Sequence, residues 1–298
     1  MPPSIRKLTG RIGAVVDGVD LAAPPDLSTV TALRDALNEH KAIVFADVDL
    51  DNAGQERVAG WFGELTTAHP NVPAADGTTN VLAVDSATSK ANEWNTDVTF
   101  VVNPPQLTTL RSIVTTPYGG ETLIANAAAA YRDLPEPLRA LADTLRVVHT
   151  NQYDYARSAA ATAERQEYDR AFVSTPYEAE HPVVRVHPLT GERGLFIGGF
   201  AKRIVGLSSS DSADLLRIFQ SYVTRPENIL SWTWSPHQLL IFDNRITQHY
   251  AVDNYDDHPS RLNRVTIAGE VPTGVDGRRS VQVAGDASHY SSVLAVAA

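Results

Sequence analysis

The run Leu239-Leu240-Ile241-Phe242-Asp243-Asn244-Arg245-Ile246-Thr247-Gln248-His249 reads as a buried strand that gives way to a polar turn and ends on a histidine. Four consecutive large apolar residues leave no polar face, so both sides of this strand must be covered. No strand in the chain leads into a glycine-rich phosphate loop, which argues against a doubly wound α/β fold. The other expected strands are short: 42–45, 81–84, 107–114, 183–186 and 195–197 about a turn at Thr190-Gly191, and 265–268. Helices separate only some of them. One β-rich domain over residues 1–298 with outer helices accommodates this pattern, and no repeat, heptad or flexible linker divides it.

The helices announce themselves by their ends. Ser28 is placed to cap a helix carrying Val30, Leu33 and Leu37, and Asp51 or Asn52 to start one that turns Val58, Trp61 and Phe62 inward. Pro135 and Pro137 fit a helix opening, where a missing amide proton costs little. Ser208 and Asp211 form a capping box ahead of Leu215, Leu216 and Phe219. Residues 151–180 are polar and poorly periodic and read as a candidate lid insertion. Residues after about 275 carry weak order signals and read as a C-terminal extension.

The composition narrows the chemistry. Twenty-five basic against 35 acidic residues give a formal charge of −10, which disfavours a nucleic-acid groove or an anionic membrane surface as partner. The absence of cysteine excludes disulfides, thiolate-held zinc or iron–sulfur clusters, and thiol catalysis. No apolar stretch approaches a membrane span, and no signal-like apolar core follows Met1, so a cytoplasmic location is the expectation.

Two segments carry candidate metal chemistry: Asp97 in Trp94-Asn95-Thr96-Asp97-Val98-Thr99-Phe100, and His249 at the end of the opening run. A nonheme iron oxygenase holds its metal with two imidazoles and one carboxylate on one face, leaving positions open for cosubstrate and oxygen. Asp243 is read as organising the turn before His249. His187 and His237, each beside a proline, are read as turn residues.

At these residues the chain resembles the taurine dioxygenase/TfdA family of iron(II)- and 2-oxoglutarate-dependent dioxygenases, nearest the branch with taurine dioxygenase and bacterial alkylsulfatases. The resemblance runs over roughly residues 5–275. It includes Phe62-Gly63-Glu64-Leu65, Trp94 to Phe100, Gly119-Gly120-Glu121-Thr122-Leu123, Leu134-Pro135-Glu136-Pro137-Leu138, His181-Pro182-Val183-Val184-Arg185 and Asp243 to His249. The fold it implies is a double-stranded β-helix, or jelly roll, around the site. The implied metal ligands are Asp97, His249 and the residue at position 95, where the family has histidine and this chain has Asn95. A carboxamide oxygen is a neutral and weaker donor than imidazole.

The resemblance assigns further roles. Thr122 matches a threonine that helps hold the 2-oxoglutarate carboxylate. The family's main carboxylate-binding arginine falls at Ser260, with Arg261 next to it, and a strand bulge or a one-residue register shift is what would turn Arg261 inward. Arg264 matches the arginine that meets the substrate anion, or could hold a relocated cosubstrate carboxylate. His69 matches a histidine near that anion, and Asn92 and Tyr153 are looser pocket candidates. The implied reaction consumes oxygen and 2-oxoglutarate, releases succinate and carbon dioxide, and hydroxylates a C–H bond of a small sulfonate, sulfate ester or carboxylate. The alternative is an altered dioxygenase scaffold without normal iron and 2-oxoglutarate turnover, serving as a small-anion-binding protein or a cofactor-independent enzyme. Homo-oligomers are common in the family, but no subunit face is legible here.

Overall fold

A computed structural model describes residues 3–152 and 162–291. Its centre is a seven-stranded sheet in the spatial order Ser4–Lys7, Ala14–Asp17, Ala42–Phe45, Leu239–Asp243, Leu107–Val114, Arg261–Ile267 and Val81–Asp85. Leu239–Asp243 lies in the middle and is antiparallel to both neighbours. The apolar run at 239–242 is therefore buried on two faces for two different reasons. Leu239 and Ile241 pack with Ile43, Phe45 and Val265 against Leu33, Leu37 and Val58 of helices Leu27–His40 and Asn52–Gly60, and against Phe62 just beyond the second helix. Leu240 and Phe242 pack with Val44 and Leu110 against Ile124 and Leu230 of a second, three-stranded sheet. Each such side chain contributes roughly 1.5–3 kcal/mol on leaving water.

The second sheet has the order Ile229–Trp232, Thr122–Asn126, Thr247–Ala251, all antiparallel. Its outer side is covered by helices Ala127–Arg132, Glu136–Thr144 and Ser209–Val223, through Tyr131, Ala142, Phe219 and Val223. A four-stranded sheet (Ala201–Ile204, Arg146–Thr150, Glu178–Pro182, Val281–Ala284) and the hairpin Val184–Val186/Arg193–Leu195 complete the architecture. Two facing sheets with peripheral helices form the double-stranded β-helix that the sequence led us to expect. None of the described helices is long and apolar enough to cross a membrane.

Two details differ from expectation. The first helix is capped by Asp26, whose carboxylate accepts the Thr29 amide at 2.6 Å, while Ser28 lies inside the helix and donates to Asp26. An aspartate two residues earlier outcompetes the serine because it offers an ionised acceptor at the N-terminus. Of the C-terminal extension, residues 276–291 are anchored, despite weak local order signals in the sequence, and 292–298 lie outside the described residues. Val281–Ala284 pairs with Glu178–Pro182, and Tyr290 is buried with its carbonyl accepting the Thr67 amide at 2.9 Å.

Candidate active site

Register brings the candidate residues together from both sheets. His249 pairs with Ile124 and Ala251 with Thr122, so alternation turns all four toward the larger sheet. From that sheet Arg264, opposite Leu110 and Leu82, shares a face with Leu262 and points back. Asn95 joins the smaller sheet by a single rung. Its N–H donates to the His249 carbonyl at 3.0 Å and its carbonyl accepts the His249 N–H at 2.8 Å. The Thr96 hydroxyl donates to the Thr247 carbonyl at 2.6 Å, fixing the register. Gly198, at φ 131°, lets the next loop lie against this rung, since a Cβ there would stand 3.1 Å from the Trp94 carbonyl oxygen. Directly after Asp97, Val98 sits at φ 53°, a conformation that β-branched residues rarely accept.

The result is a cavity between the sheets, lined on its polar side by His69, Asn95, Asp97, Thr122, His249 and Arg264. Its opposite walls are apolar and aromatic, with Leu82, Phe100, Tyr168, Phe172, Phe200 and Leu262. Asp97 is the charged centre. Its Oδ1 accepts Arg264 Nη1 at 2.5 Å and stands 3.9 Å from His249 Nε2. Its Oδ2 accepts the Thr108 hydroxyl at 2.5 Å, and Thr108 in turn accepts Asn244 Nδ2 at 2.6 Å. Burial would push the Asp97 carboxyl up, but the Arg264 charge, aided by His249 and Thr108, outweighs it and holds Asp97 below the usual carboxylate range. His249 is pushed down by burial and by Arg264 against the pull of Asp97, so a neutral imidazole faces the carboxylate.

His69 is pushed well down by burial and by Arg264. Its Nδ1 accepts the backbone amides of Asn71 and Val72, both at 3.0 Å. A neutral ring that accepts at Nδ1 carries its proton on Nε2, which makes His69 a hydrogen-bond donor without charge. Thr122 accepts the Trp234 indole N–H at 2.9 Å, leaving its own hydroxyl proton to give to a ligand.

The structure does not bring every candidate here. A bulge does sit beside Arg261, but the extra residue is Ile113 of the neighbouring strand. Arg261 keeps the alternation of Asn263, whose amide meets Asn52 on the helix-covered side. Ser260 pairs with Ser86 outside the cavity. Asn92 opens onto a separate shallow hollow with Trp94, Lys202 and Tyr250. Tyr153 lies outside the described residues. Arg264 is thus the one arginine or lysine on the lining among the described residues. Asp243 stays in the turn, where it accepts three N–H bonds from Arg245 and faces His187 Nε2 at 3.0 Å. Sequence reasoning missed Thr108 and the aromatic wall. Thr108 shares a face with Leu110 in its strand, so its inward direction was readable, but only the fold supplies Asp97 as its neighbour.

Residues 4–266 match the family described as taurine catabolism dioxygenase TauD, TfdA family. An alpha-ketoglutarate-dependent sulfate ester dioxygenase of Pseudomonas putida is 50% identical over 280 residues, covering 93% of each chain. An alkylsulfatase of Acinetobacter baylyi is 47% identical over 277 residues, 92% of this chain and 87% of that one. The crystal structure of a taurine dioxygenase from Burkholderia xenovorans superposes with a TM-score of 0.83 at 34% identity, covering 99% of this chain and all of that one. The chain belongs to the TauD, TfdA family.

This is a family of iron(II)- and 2-oxoglutarate-dependent dioxygenases. Among the described residues, no group of three His, Cys, Asp or Glu side chains is placed to hold a metal. Asp97 and His249 supply two such donors, and their 3.9 Å separation lets both reach one ion at the roughly 2.0–2.2 Å of divalent-metal bonds. The third neighbour, Asn95, brings a carboxamide oxygen. Asp97 and His249 thus fit two positions on one ion, and Asn95 lies on the same lining with a neutral carboxamide oxygen to offer.

Proposed function

We propose that the protein is a dioxygenase of this family that hydroxylates a small organic sulfate ester or sulfonate next to its heteroatom, with Asp97, His249 and Asn95 holding iron(II). The observation that carries this reading is the convergence of Arg264 and His69 with Asp97 and His249 on one cavity that also has an apolar, aromatic wall. The names of two relatives, a sulfate ester dioxygenase and an alkylsulfatase, support the substrate class.

The chain's own residues divide the work. The Arg264 guanidinium and the Nε2–H of His69 give a tetrahedral oxoanion one charged and one neutral donor, fixing its orientation. The aromatic wall takes the apolar body, desolvates it and excludes water from the reacting bond. Tyr168 and Phe172 come from helix Ala163–Phe172, within the candidate lid 151–180, and close the apolar end. Thr122, oriented by Trp234, is the donor for a 2-oxoglutarate carboxylate. Iron, when bound, supplies the oxygen-activating redox chemistry. Hydroxylation at the carbon bearing a sulfate or sulfonate would give an adduct that collapses to a carbonyl compound, the new hydroxyl losing its proton as the C–O or C–S bond breaks and sulfate or sulfite departs.

A second reading follows from the single guanidinium. Cosubstrate and substrate both bring anionic groups, and among the described residues the lining offers one arginine for them. An anion-binding scaffold without turnover needs only that one. Anaerobic titration with iron(II) and 2-oxoglutarate, followed by oxygen-dependent succinate measurement, separates the two. Substrate-stimulated succinate supports the enzyme; alkyl sulfate binding without succinate supports the scaffold.

A further inference from the structure

Asp97 is a buried carboxylate with its counter-charge built in. Arg264 Nη1 holds Oδ1 at 2.5 Å, and Arg264 Nη2 donates to the Ala68 carbonyl at 3.1 Å. The oxygen that Arg264 grips is the one that faces His249 across 3.9 Å. A divalent ion shared by Asp97 and His249 must therefore take a position beside a guanidinium, with like charges in a poorly solvated site. Among the described residues, the same guanidinium is the one fixed cationic side chain on the lining that can meet an oxoanion. One positive charge thus serves two ligands of opposite sign.

We propose that Arg264 couples the two sites, so that a divalent cation at Asp97 and an organic oxoanion at Arg264 each strengthen the binding of the other. An anion on Arg264 cancels its repulsion of the ion and draws it from Asp97. An ion on Asp97 replaces Arg264 as counter-charge and frees its N–H groups for the anion. Asn95 makes this coupling matter. With a neutral carboxamide as third donor, the ion has little affinity in reserve, so occupancy depends on the anion arriving. The protein then loads its metal mainly when substrate is present. This inference rests on the reading of the cavity as a joint metal and anion site.

The test uses the full-length protein, Mn(II) as probe ion and hexyl sulfate as probe anion, in chloride buffer at constant ionic strength without 2-oxoglutarate. Free Mn(II) is followed by its electron paramagnetic resonance signal, and hexyl sulfate binding by calorimetry. Saturating hexyl sulfate is expected to tighten Mn(II) binding by about tenfold, and saturating Mn(II) to tighten hexyl sulfate by the same factor, as linkage requires. In Arg264→Gln the factor should fall to about one. Equal Mn(II) affinity with and without hexyl sulfate in the wild type overturns the coupling while leaving the site reading intact. Failure of either probe to bind under any condition overturns both. Coupling that persists in Arg264→Gln removes the arginine from the account, and the wild-type reciprocity keeps the test decisive should that variant misfold.

Discussion

Arg264 and Asp97, 167 residues apart in sequence, meet at 2.5 Å inside the cavity, so the carboxylate expected to hold metal is already paired with the arginine expected to hold substrate. This pair sets the electrostatics of the site. Arg264 keeps Asp97 ionised and adds to the burial that depresses His69 and His249, and among the described residues it is the single guanidinium on the lining to serve whatever anion enters.

Arg264→Gln should weaken hexyl sulfate binding by about 10- to 100-fold, the worth of one charge-assisted hydrogen-bonding group. Removing the counter-charge of a buried carboxylate should also cost roughly 3–5 kcal/mol of stability. Arg264→Lys should recover much of the stability and less of the binding, because an ammonium lacks the paired donors. Calorimetry and urea denaturation measure the two effects separately. Equal recovery of both by lysine would contradict the role given to the guanidinium fork.

The turn before His249 depends on Asp243, which is fully buried between Arg245 and His187. Burial works against its ionisation, but Arg245 and His187 overcome that and keep it well below the ordinary range. Asp243→Asn leaves Arg245 buried without its carboxylate and should destabilise the fold by about 3–5 kcal/mol. Urea midpoints at neutral pH provide the check, and a loss under 1 kcal/mol would show that the turn does not need the charge.

Stability should fall on mild acidification. His181, buried with its ring nitrogens bonded to the Ser280 hydroxyl and the Thr99 carbonyl, is pushed down to about 3 by burial, and His149 shifts the same way. The unfolded chain takes up protons near pH 6.5 that these folded rings refuse, so stability is complete above that value and declines below it. For His181 alone the loss reaches about 2 kcal/mol by pH 5. A stability that stays flat between pH 6.5 and 5 would contradict the neutral, buried assignment.

Gly198→Ala tests the rung that carries Asn95. The residue at φ 131° and its new Cβ, 3.3 Å from Asn95 Cα, should together cost about 1–3 kcal/mol and shift the Asn95 strand. Mn(II) affinity should drop along with thermal stability. Unchanged metal binding in the destabilised variant would show that the Asn95 rung is irrelevant to the ion.

Much of this architecture could be read from the chain because its local signals agree with the fold. The apolar run at 239–242 demanded cover on both faces and received it, and the caps at Asp51 and Ser208 stand where side-chain chemistry put them. Asp26 displaced Ser28 as a cap because two acceptors competed within three residues, which spacing alone does not resolve. The site was legible where motif and alternation coincide, as at Asp97, Thr122, His249 and Arg264, all of which line the cavity. Arg261 shows the limit. Whether a bulge re-aims a residue depends on which strand carries the extra residue, and here it is Ile113. The ion pair of Asp97 with Arg264 and the clamp from Thr108 depend on strand order across the whole sheet, which no local pattern encodes.

Whether Asp97, His249 and Asn95 support turnover is decided by succinate formation from 2-oxoglutarate, with and without hexyl sulfate, compared between the wild type and Asn95→His over an iron(II) series. The account predicts oxygen-dependent succinate from the wild type that requires both iron and hexyl sulfate, with Asn95→His saturating at lower iron because imidazole is the better donor. No succinate from either protein at saturating iron, with hexyl sulfate bound, would contradict it.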